Sequence, residues 1–430
     1  MNATELSSEN INSKRVLYLV FATLTLLVLG LIYAWSIFAG PIGGAFENYT
    51  PYLSQVFQVS MFAFCLSALI GSQIVKRFSA KAAIILAAIL LSAGFTCTAF
   101  FAGMGFWALI LFYSIFAGSG VGIAYNAIIS LVNPWFPDRI GLASGIMMMG
   151  FGISALVFGS LAGVLFGMMD WSRVFLVIAA GAFVIMILMA FIVKPAPKDI
   201  GARLGVPPIA AGVGESPTQQ TFILKTKAFW MFWVWGILIV ACGLTLIGTS
   251  AQGAAFVETG TTGNAVAYGA LLVGLVSTMN GISRIVNGAL FDKIGLVPVM
   301  LFSCVVCFLC TLGLSLSMSM SIVPLYIVAA ILIALPYGSA PVLSAGFIRQ
   351  RYGAGNFAQN LGIINLLIAI AATLNIIIGA ILGPAASANG PIIYGILAGL
   401  TLIAFIGTLV FSRQYKADVA TIKAELGQAD

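Results

Sequence analysis

Residues Lys194 to Lys227 read KPAPKDIGARLGVPPIAAGVGESPTQQTFILKTK. The stretch is rich in Pro, Gly, Thr and Lys and reads as a linker. Its place in the chain decides the fold. Six long apolar runs precede it, at about 16–38, 53–75, 81–102, 106–132, 140–166 and 172–193. Six follow, at about 228–250, 266–291, 297–318, 321–346, 359–382 and 391–412. A helix of about 20 apolar residues crosses the hydrocarbon core of a bilayer, so every run is long enough to span. The expectation is an all-α polytopic membrane protein with twelve transmembrane helices in two six-helix bundles. Its parts are a cytoplasmic N-terminal tail (1–15), a first bundle (16–193), the cytoplasmic linker (194–227), a second bundle (228–412) and a cytoplasmic C-terminal tail (413–430).

Composition leads to the same class. Of the 430 residues, 61% are hydrophobic and only 7% charged, with a mean hydropathy of +1.12. About a quarter of the residues in a soluble domain are charged. This chain cannot cover a water-facing surface, so most of its surface must face lipid. The net charge of +7 does not indicate nucleic acid, because the basic residues form no stripe with interleaved aromatics. They sit in the short gaps between apolar runs.

Their distribution orients the chain. With both termini inside, the cytoplasmic side receives Lys14, Arg15, Lys76, Arg77, Lys81, Arg139, Lys194, Lys198, Arg203, Lys225, Lys227, Lys293, Arg349, Arg351, Arg413, Lys416 and Lys423, seventeen of the nineteen Lys and Arg residues. Arg173 falls outside and Arg284 falls within a span. Positive residues collect on the cytoplasmic side of membrane proteins, which puts both termini inside; the expected location is a bacterial-type cytoplasmic (inner) membrane, crossed many times. The first run is too long for the core of a cleaved signal and reads as a retained helix.

Ser72-Gln73-Ile74-Val75-Lys76-Arg77-Phe78-Ser79 ends the second run, and Gly288-Ala289-Leu290-Phe291-Asp292-Lys293-Ile294-Gly295 ends the eighth. They occupy the same place in each half. The second stretch resembles the Gly-x-x-x-Asp-Arg/Lys-x-Gly loop signature of the major facilitator superfamily, and the first resembles a degraded copy. Asp292 and Lys293 are thereby candidate gating residues, the acid suited to a helix N-terminus and the base to lipid phosphates or a partner helix.

Arg284 is the most informative residue. It lies in Met279-Asn280-Gly281-Ile282-Ser283-Arg284-Ile285-Val286, about six residues from the centre of its run, or roughly 9 Å toward the cytoplasm at about 1.5 Å per residue. Arginine at the membrane centre costs about 2.5–3.5 kcal/mol on insertion scales. The predicted spans hold no Asp or Glu to pair with it. Three readings remain open: a guanidinium facing a water-filled cavity and binding an anion, a structural group bonded to backbone carbonyls, and a side chain snorkelling to the interface. The planar fork of guanidinium suits both oxygens of a carboxylate. Asn280 lies four residues earlier on the same helical face, suited to orienting Arg284, to a substrate oxygen, or to helix–helix contact. Asn287 lies close to that face.

Tyr33 stands near the outer end of the first run, and Tyr125 and Asn126 stand mid-span in the fourth, after Gly118-Ser119-Gly120-Val121-Gly122. Small residues of this kind allow close helix packing, and a hydroxyl as deep as that of Tyr125 needs a partner. Pro336-Tyr337-Gly338 and Pro341 interrupt the tenth run, as a moving bend or a fixed kink.

The chain has no Walker loop for ATP and no His, and no acid lies inside a predicted span to relay protons. Cys65, Cys97, Cys242, Cys304, Cys307 and Cys310 all lie in apolar runs and read as small buried hydrophobes. No cofactor, metal or enzymatic constellation is expected.

Asn133-Pro134-Trp135-Phe136-Pro137-Asp138-Arg139, continuing Ile140-Gly141-Leu142-Ala143-Ser144-Gly145, resembles the Trp-Phe-Pro-Asp-Lys/Arg-x-Gly-Leu-Ala-x-Gly loop of the oxalate/formate antiporter family, which is close to the monocarboxylate transporters. Tyr33-Ala34-Trp35-Ser36 and Thr226-Lys227-Ala228-Phe229-Trp230 are similar to that family's segments in the first helix and at the start of the seventh. The likeness runs from about Leu17 to Phe411. It implies that Arg284 is the substrate-binding arginine and that Tyr33 and Tyr125 line the cavity. Phe151 stands where the family has a tyrosine, and Tyr337 where it has a tryptophan. Asp138 and Arg139 are loop-motif residues. In Asn360-Leu361-Gly362-Ile363-Ile364-Asn365-Leu366-Leu367-Ile368, Asn365 replaces the oxalate carrier's tryptophan and Ile368 its lysine, so one of two expected cations is missing.

The implied function is secondary transport of a small organic anion, a monocarboxylate such as lactate, pyruvate or formate, with a proton or a counter-anion as co-solute. Arg284, Asn280, Tyr33, Tyr125, Asn126, Phe151, Tyr337 and Asn365 are the candidate binding residues. The alternatives are an oxalate/formate-type dicarboxylate exchanger, a carrier of drugs or neutral solutes, and a carboxylate sensor that moves nothing. The expected partners are this solute and membrane lipid, with no nucleic acid, and the expected state is a monomer.

Overall fold

The computed structural model describes residues 8–206, 216–259, 265–382 and 389–426. Twelve long helical passages account for most of them. Helix α1 runs Ser8–Leu29 and continues through a 3-10 turn, Gly30–Ala34, into Trp35–Ala45. Then come α2 (Leu53–Arg77), α3 (Ala80–Phe101), α4 (Phe106–Leu109, Ile110–Ala117 and Gly118–Val132), α5 (Ile140–Met168) and α6 (Trp171–Ile192). The second set is α7 (Lys227–Thr259), α8 (Ala265–Ile294), α9 (Leu296–Met320), α10 (Val323–Leu332 and Ala334–Tyr352), α11 (Phe357–Leu382) and α12 (Gly390–Glu425). Among the described residues there is no strand, and eleven helices are long and apolar enough to cross a membrane. The remaining passage, α8, carries Arg284, Asp292 and Lys293 in its 30 residues.

The chain divides into two compact units, Met1–Val213 with Asn356–Ile363, and Gly214–Gly355 with Ile364–Asp430. Helix α11 is shared between them. In the first unit, three glycines of α4 seat it against its neighbours. A methyl group on Gly118 would lie 2.9 Å from the Ser60 carbonyl oxygen, and one on Gly122 would lie 2.1 Å from that of Phe64, both on α2. One on Gly120 would meet the Leu91 nitrogen of α3 at 2.6 Å. Side chains at these places would hold the backbones apart, so small residues set the spacing. Ahead of them, Ile110–Ala117 is wound as a π-helix. The loop before α5 is tied on two sides. The Trp135 indole donates to the Lys194 carbonyl at 2.9 Å. Arg15 of α1 pairs with Asp138 and lies 4.7 Å over the ring of Phe136.

In the second unit α8 and α9 are joined by a single residue. Gly295 has φ +83, and its N–H reaches the Phe291 carbonyl at 2.9 Å. That left-handed conformation stops a helix with little strain only at glycine, which is the physical reason for the last position of the loop signature. In the equivalent loop of the first unit, Ser79 does other work: its hydroxyl caps α3 by accepting from the Ala82 N–H at 3.0 Å.

The helices overrun two expected boundaries. Helix α1 starts inside the predicted tail 1–15, at Ser8, and α12 continues past 412 to Glu425. At 36 residues α12 is about 54 Å long, well beyond the roughly 30 Å hydrocarbon core. Its extension is held by polar contacts. Asp418 pairs with Arg351 of α10 at 2.7 Å, and the Tyr415 hydroxyl donates to Gln350 Oε1 at 3.0 Å. Glu425 accepts from the Thr218 N–H at 3.1 Å and from the Ser216 hydroxyl. The described ends of the 194–227 stretch are therefore not a structureless tether. They contain short helices at Ile200–Arg203 and Pro217–Gln220, and the Thr226 hydroxyl accepts from the Phe229 N–H at 3.4 Å at the start of α7.

Candidate functional site

Arg284 is buried, with 3% of its surface exposed. Asn280, Ser283, Arg284 and Asn287 follow the i, i+3, i+4, i+7 spacing that puts residues on one helical face. The face is internally bonded. Ser283 Oγ donates to the Asn280 carbonyl at 2.7 Å, and Asn287 Nδ2 donates to the Ser283 carbonyl at 2.8 Å. The same amide reaches the Leu335 carbonyl of α10, also at 2.8 Å.

Helix α10 is shaped for this contact. Pro336 has no N–H, and its ring crowds the carbonyl four residues back, at Leu332. The helix breaks there into its two segments. Beyond the break, Gly338 lies against α8: a methyl group on it would stand 1.8 Å from Ser283 Oγ and 3.2 Å from Arg284 Cγ. Tyr337 turns toward α7, where a methyl group on Gly243 would lie 2.4 Å from its Cδ2. Tyr337 is 6% exposed.

Among the described residues of this unit, five buried amide atoms have no hydrogen-bond partner, and Asn280 Oδ1 and Asn365 Nδ2 belong to candidate site residues; the others are Gln219 Oε1, Asn287 Oδ1 and Asn375 Oδ1. An unsatisfied buried polar atom costs about 1–3 kcal/mol, so water or a ligand there would relieve a real penalty. Farther along α11, Asn375 Nδ2 donates to the Ala241 carbonyl of α7 at 3.0 Å.

The first unit gathers its candidate aromatics into one cluster. Tyr33 meets Phe151 edge-on with centroids 5.2 Å apart, and Tyr125 meets Phe151 at 5.2 Å. Two residues of α2 that sequence reasoning missed complete it. Phe57 lies 6.1 Å from Tyr33, while Phe64 lies 5.4 Å from Tyr125 and 5.9 Å from Phe151. Their seven-residue spacing was the available signal. Asn126 lies apart from these rings in role: its Nδ2 donates to the Ala68 carbonyl at 2.9 Å and the Ala358 carbonyl at 3.0 Å. Its donors therefore fasten α4 to α2 and to the first turn of α11.

Of the loop residues, Asp138 pairs with Arg15 while Arg139 is largely exposed. Asp292 and Lys293 are exposed in the last turn of α8. Asp292 thus stands four residues before α9 begins at Leu296, in the last turn of α8, which runs on to Ile294. A surface cavity of about 600 Å³ lies elsewhere in the first unit, lined by Asn48, Tyr49, Tyr52, Gly103, Gly105 and Phe106, none of them a candidate site residue. No group of His, Cys, Asp or Glu able to hold a metal occurs among the described residues. The cysteines of α9 are buried, and Cys304 Sγ lies 3.8 Å from Thr408 Oγ1 of α12.

Comparison with known proteins agrees with this architecture. Residues 17–375 match the Major Facilitator Superfamily. The chain is 24% identical over 364 residues to the uncharacterised MFS-type transporter YhjX of Escherichia coli strain K12, covering 84% of this chain and 86% of that one. It is 28% identical over 300 residues to the oxalate:formate antiporter of Oxalobacter formigenes, covering 67% of this chain and 66% of the relative. Among solved structures, the proton:xylose symporter XylE superposes with a TM-score of 0.70 over 93% of this chain and 96% of that one. Its identity is 14%, so that likeness concerns the fold alone. Twelve helical passages in two units, with a match across most of their length, leave one conclusion: the chain belongs to the Major Facilitator Superfamily and is a membrane transporter, not an enzyme.

Proposed function

We propose that the chain carries small monocarboxylates, such as lactate, pyruvate or formate, across a bacterial inner membrane by alternating access, as an exchanger or a symporter. The observation that carries the reading is the buried Arg284 on α8, in a unit where Asn280 Oδ1 and Asn365 Nδ2 are unsatisfied. A carboxylate takes both arms of the guanidinium fork, and a hydroxyl or keto oxygen of the same solute takes an amide. The name of the Oxalobacter formigenes relative supports an organic anion.

Charge favours one carboxylate over two. Ile368 stands where the oxalate carrier has its second cation. A dianion held by one guanidinium keeps a net negative charge in a low-dielectric site, unfavourable by roughly several kcal/mol. In the first unit, the resemblance assigns Tyr33, Tyr125 and the position of Phe151 to the cavity lining, and Phe57 and Phe64 pack against these rings. Asp138, Arg139, Asp292 and Lys293 belong to cytoplasmic loops that close and open with the cycle. The protein works as a monomer in lipid with both termini cytoplasmic.

Counterflow in proteoliposomes with labelled lactate, pyruvate, formate and oxalate, with and without a pH gradient, tests this. Arg284→Gln should abolish uptake while leaving yield and melting temperature intact. Undiminished uptake refutes the assigned role. Preferred oxalate/formate exchange would favour the dicarboxylate alternative, and ligand-induced stabilisation without flux would favour a sensor.

A further inference from the structure

Glycine in the middle of a helix is destabilising relative to alanine. Gly338 accepts that cost inside α10, and its backbone does not require it, because its φ is not positive. The requirement is space. A methyl group at Gly338 would stand 1.8 Å from Ser283 Oγ, 3.1 Å from Ser283 Cβ and 3.2 Å from Arg284 Cγ. The first contact is impossible, and the last presses on the stem of the arginine itself. Three residues before Gly338, the Leu335 carbonyl is held by Asn287 Nδ2 at 2.8 Å, which fixes how far α10 stands along α8.

We propose that Gly338 is a positioning residue for the anion site: it leaves the room in which the Arg284 stem lies against α10, and so sets where the guanidinium points. The inference rests on the reading of Arg284 as the anion-binding group. A bidentate grip on a carboxylate depends on orientation, so a displaced Cγ, with the guanidinium several bonds further out, loses affinity before it loses fold. Asn287 and Gly338 both bear on the segment beyond the α10 break, so α8 is hydrogen-bonded to that segment and packed closely against it.

The test separates packing from positioning. Gly338→Ala alone is expected to destabilise the protein through the Ser283 hydroxyl. Ser283→Ala/Gly338→Ala removes the 1.8 Å collision but keeps the 3.1 Å approach to the Cβ of residue 283 and the 3.2 Å approach to Arg284 Cγ. Its melting temperature should recover most of the way from that of Gly338→Ala to that of Ser283→Ala. In proteoliposome counterflow with the best carried of labelled lactate, pyruvate, formate and oxalate, its KM should rise roughly tenfold or more, with kcat within about threefold of Ser283→Ala. A double variant with the KM of Ser283→Ala would overturn the inference and leave Gly338 a packing residue. If that happens while Arg284→Gln still abolishes uptake, only the positioning role falls. If Arg284→Gln has no effect, or none of the four anions is carried, the anion-site reading falls and the inference with it.

Discussion

Arg351 Nε lies 2.7 Å from Asp418 Oδ2, and neither side chain is open to water, at 5% and 14% exposed. The same guanidinium donates from Nη1 to the Thr218 carbonyl at 2.9 Å. One charge thus joins the end of α10, the extension of α12 and the segment that leads into α7. A shielded pair of this kind is costly to break, because the remaining charge is left without a partner. Asp418→Asn should therefore destabilise the protein by about 3 kcal/mol. The exposed pair Arg203–Asp199 has a similar distance, 2.6 Å, but side chains 40% and 55% exposed. Asp199→Asn should leave stability close to unchanged. Thermal unfolding of the two purified variants in detergent checks the contrast, and equal shifts would contradict it.

Asn287 makes two hydrogen bonds through one amide, to the Ser283 and Leu335 carbonyls. Asn287→Leu keeps the heavy-atom count and branching of the side chain but leaves the Leu335 carbonyl without that donor beside the α10 break. The expected loss is about 1–3 kcal/mol. It should appear as a lowered melting temperature and as faster hydrogen exchange confined to α10 around the break.

Gly122 and Gly181 make opposite predictions from the same substitution. A methyl group on Gly122 would lie 2.1 Å from the Phe64 carbonyl oxygen, whereas one on Gly181 meets nothing within 4 Å. Gly122→Ala should force α4 and α2 apart, costing about 3 kcal/mol or more and reducing the yield of folded protein. Gly181→Ala should be neutral or stabilising by up to about 1 kcal/mol. Size-exclusion profiles of the two variants distinguish them.

Arg15 and Asp138 are 123 positions apart in sequence and paired in space, with Arg15 also over the ring of Phe136. A double-mutant cycle with Arg15→Ala and Asp138→Ala should give a coupling of about 1 kcal/mol. Additive effects would contradict an energetic role for the ion pair. Arg139→Ala, at a largely exposed guanidinium 4.0 Å from Asp138, should be close to silent.

The sequence reading found all twelve passages because bilayer thickness imposes a length on each apolar run, and length survives without any knowledge of neighbours. It also singled out Arg284, because a charge inside a span has a cost that needs an explanation. It did not find Phe57 or Phe64. In a membrane helix the lipid-facing and protein-facing sides are both apolar, so no amphipathic stripe marks which face packs inward. The extension of α12 was missed for a related reason. Arg349, Arg351 and Asp418 stand near ends of apolar runs, where charges ordinarily meet water, yet Arg349 and Arg351 are 6% and 4% exposed.

By itself, the order of residues determined the number of long apolar helices, their division six and six, and the presence of an arginine within one of them, since each follows from transfer free energy summed along the chain. Only the tertiary structure decided which carbonyl Asn287 holds, which arginine Asp418 neutralises and why position 338 has no side chain. Those are distances between residues remote in sequence, set by how closely two backbones approach, and no local pattern encodes them.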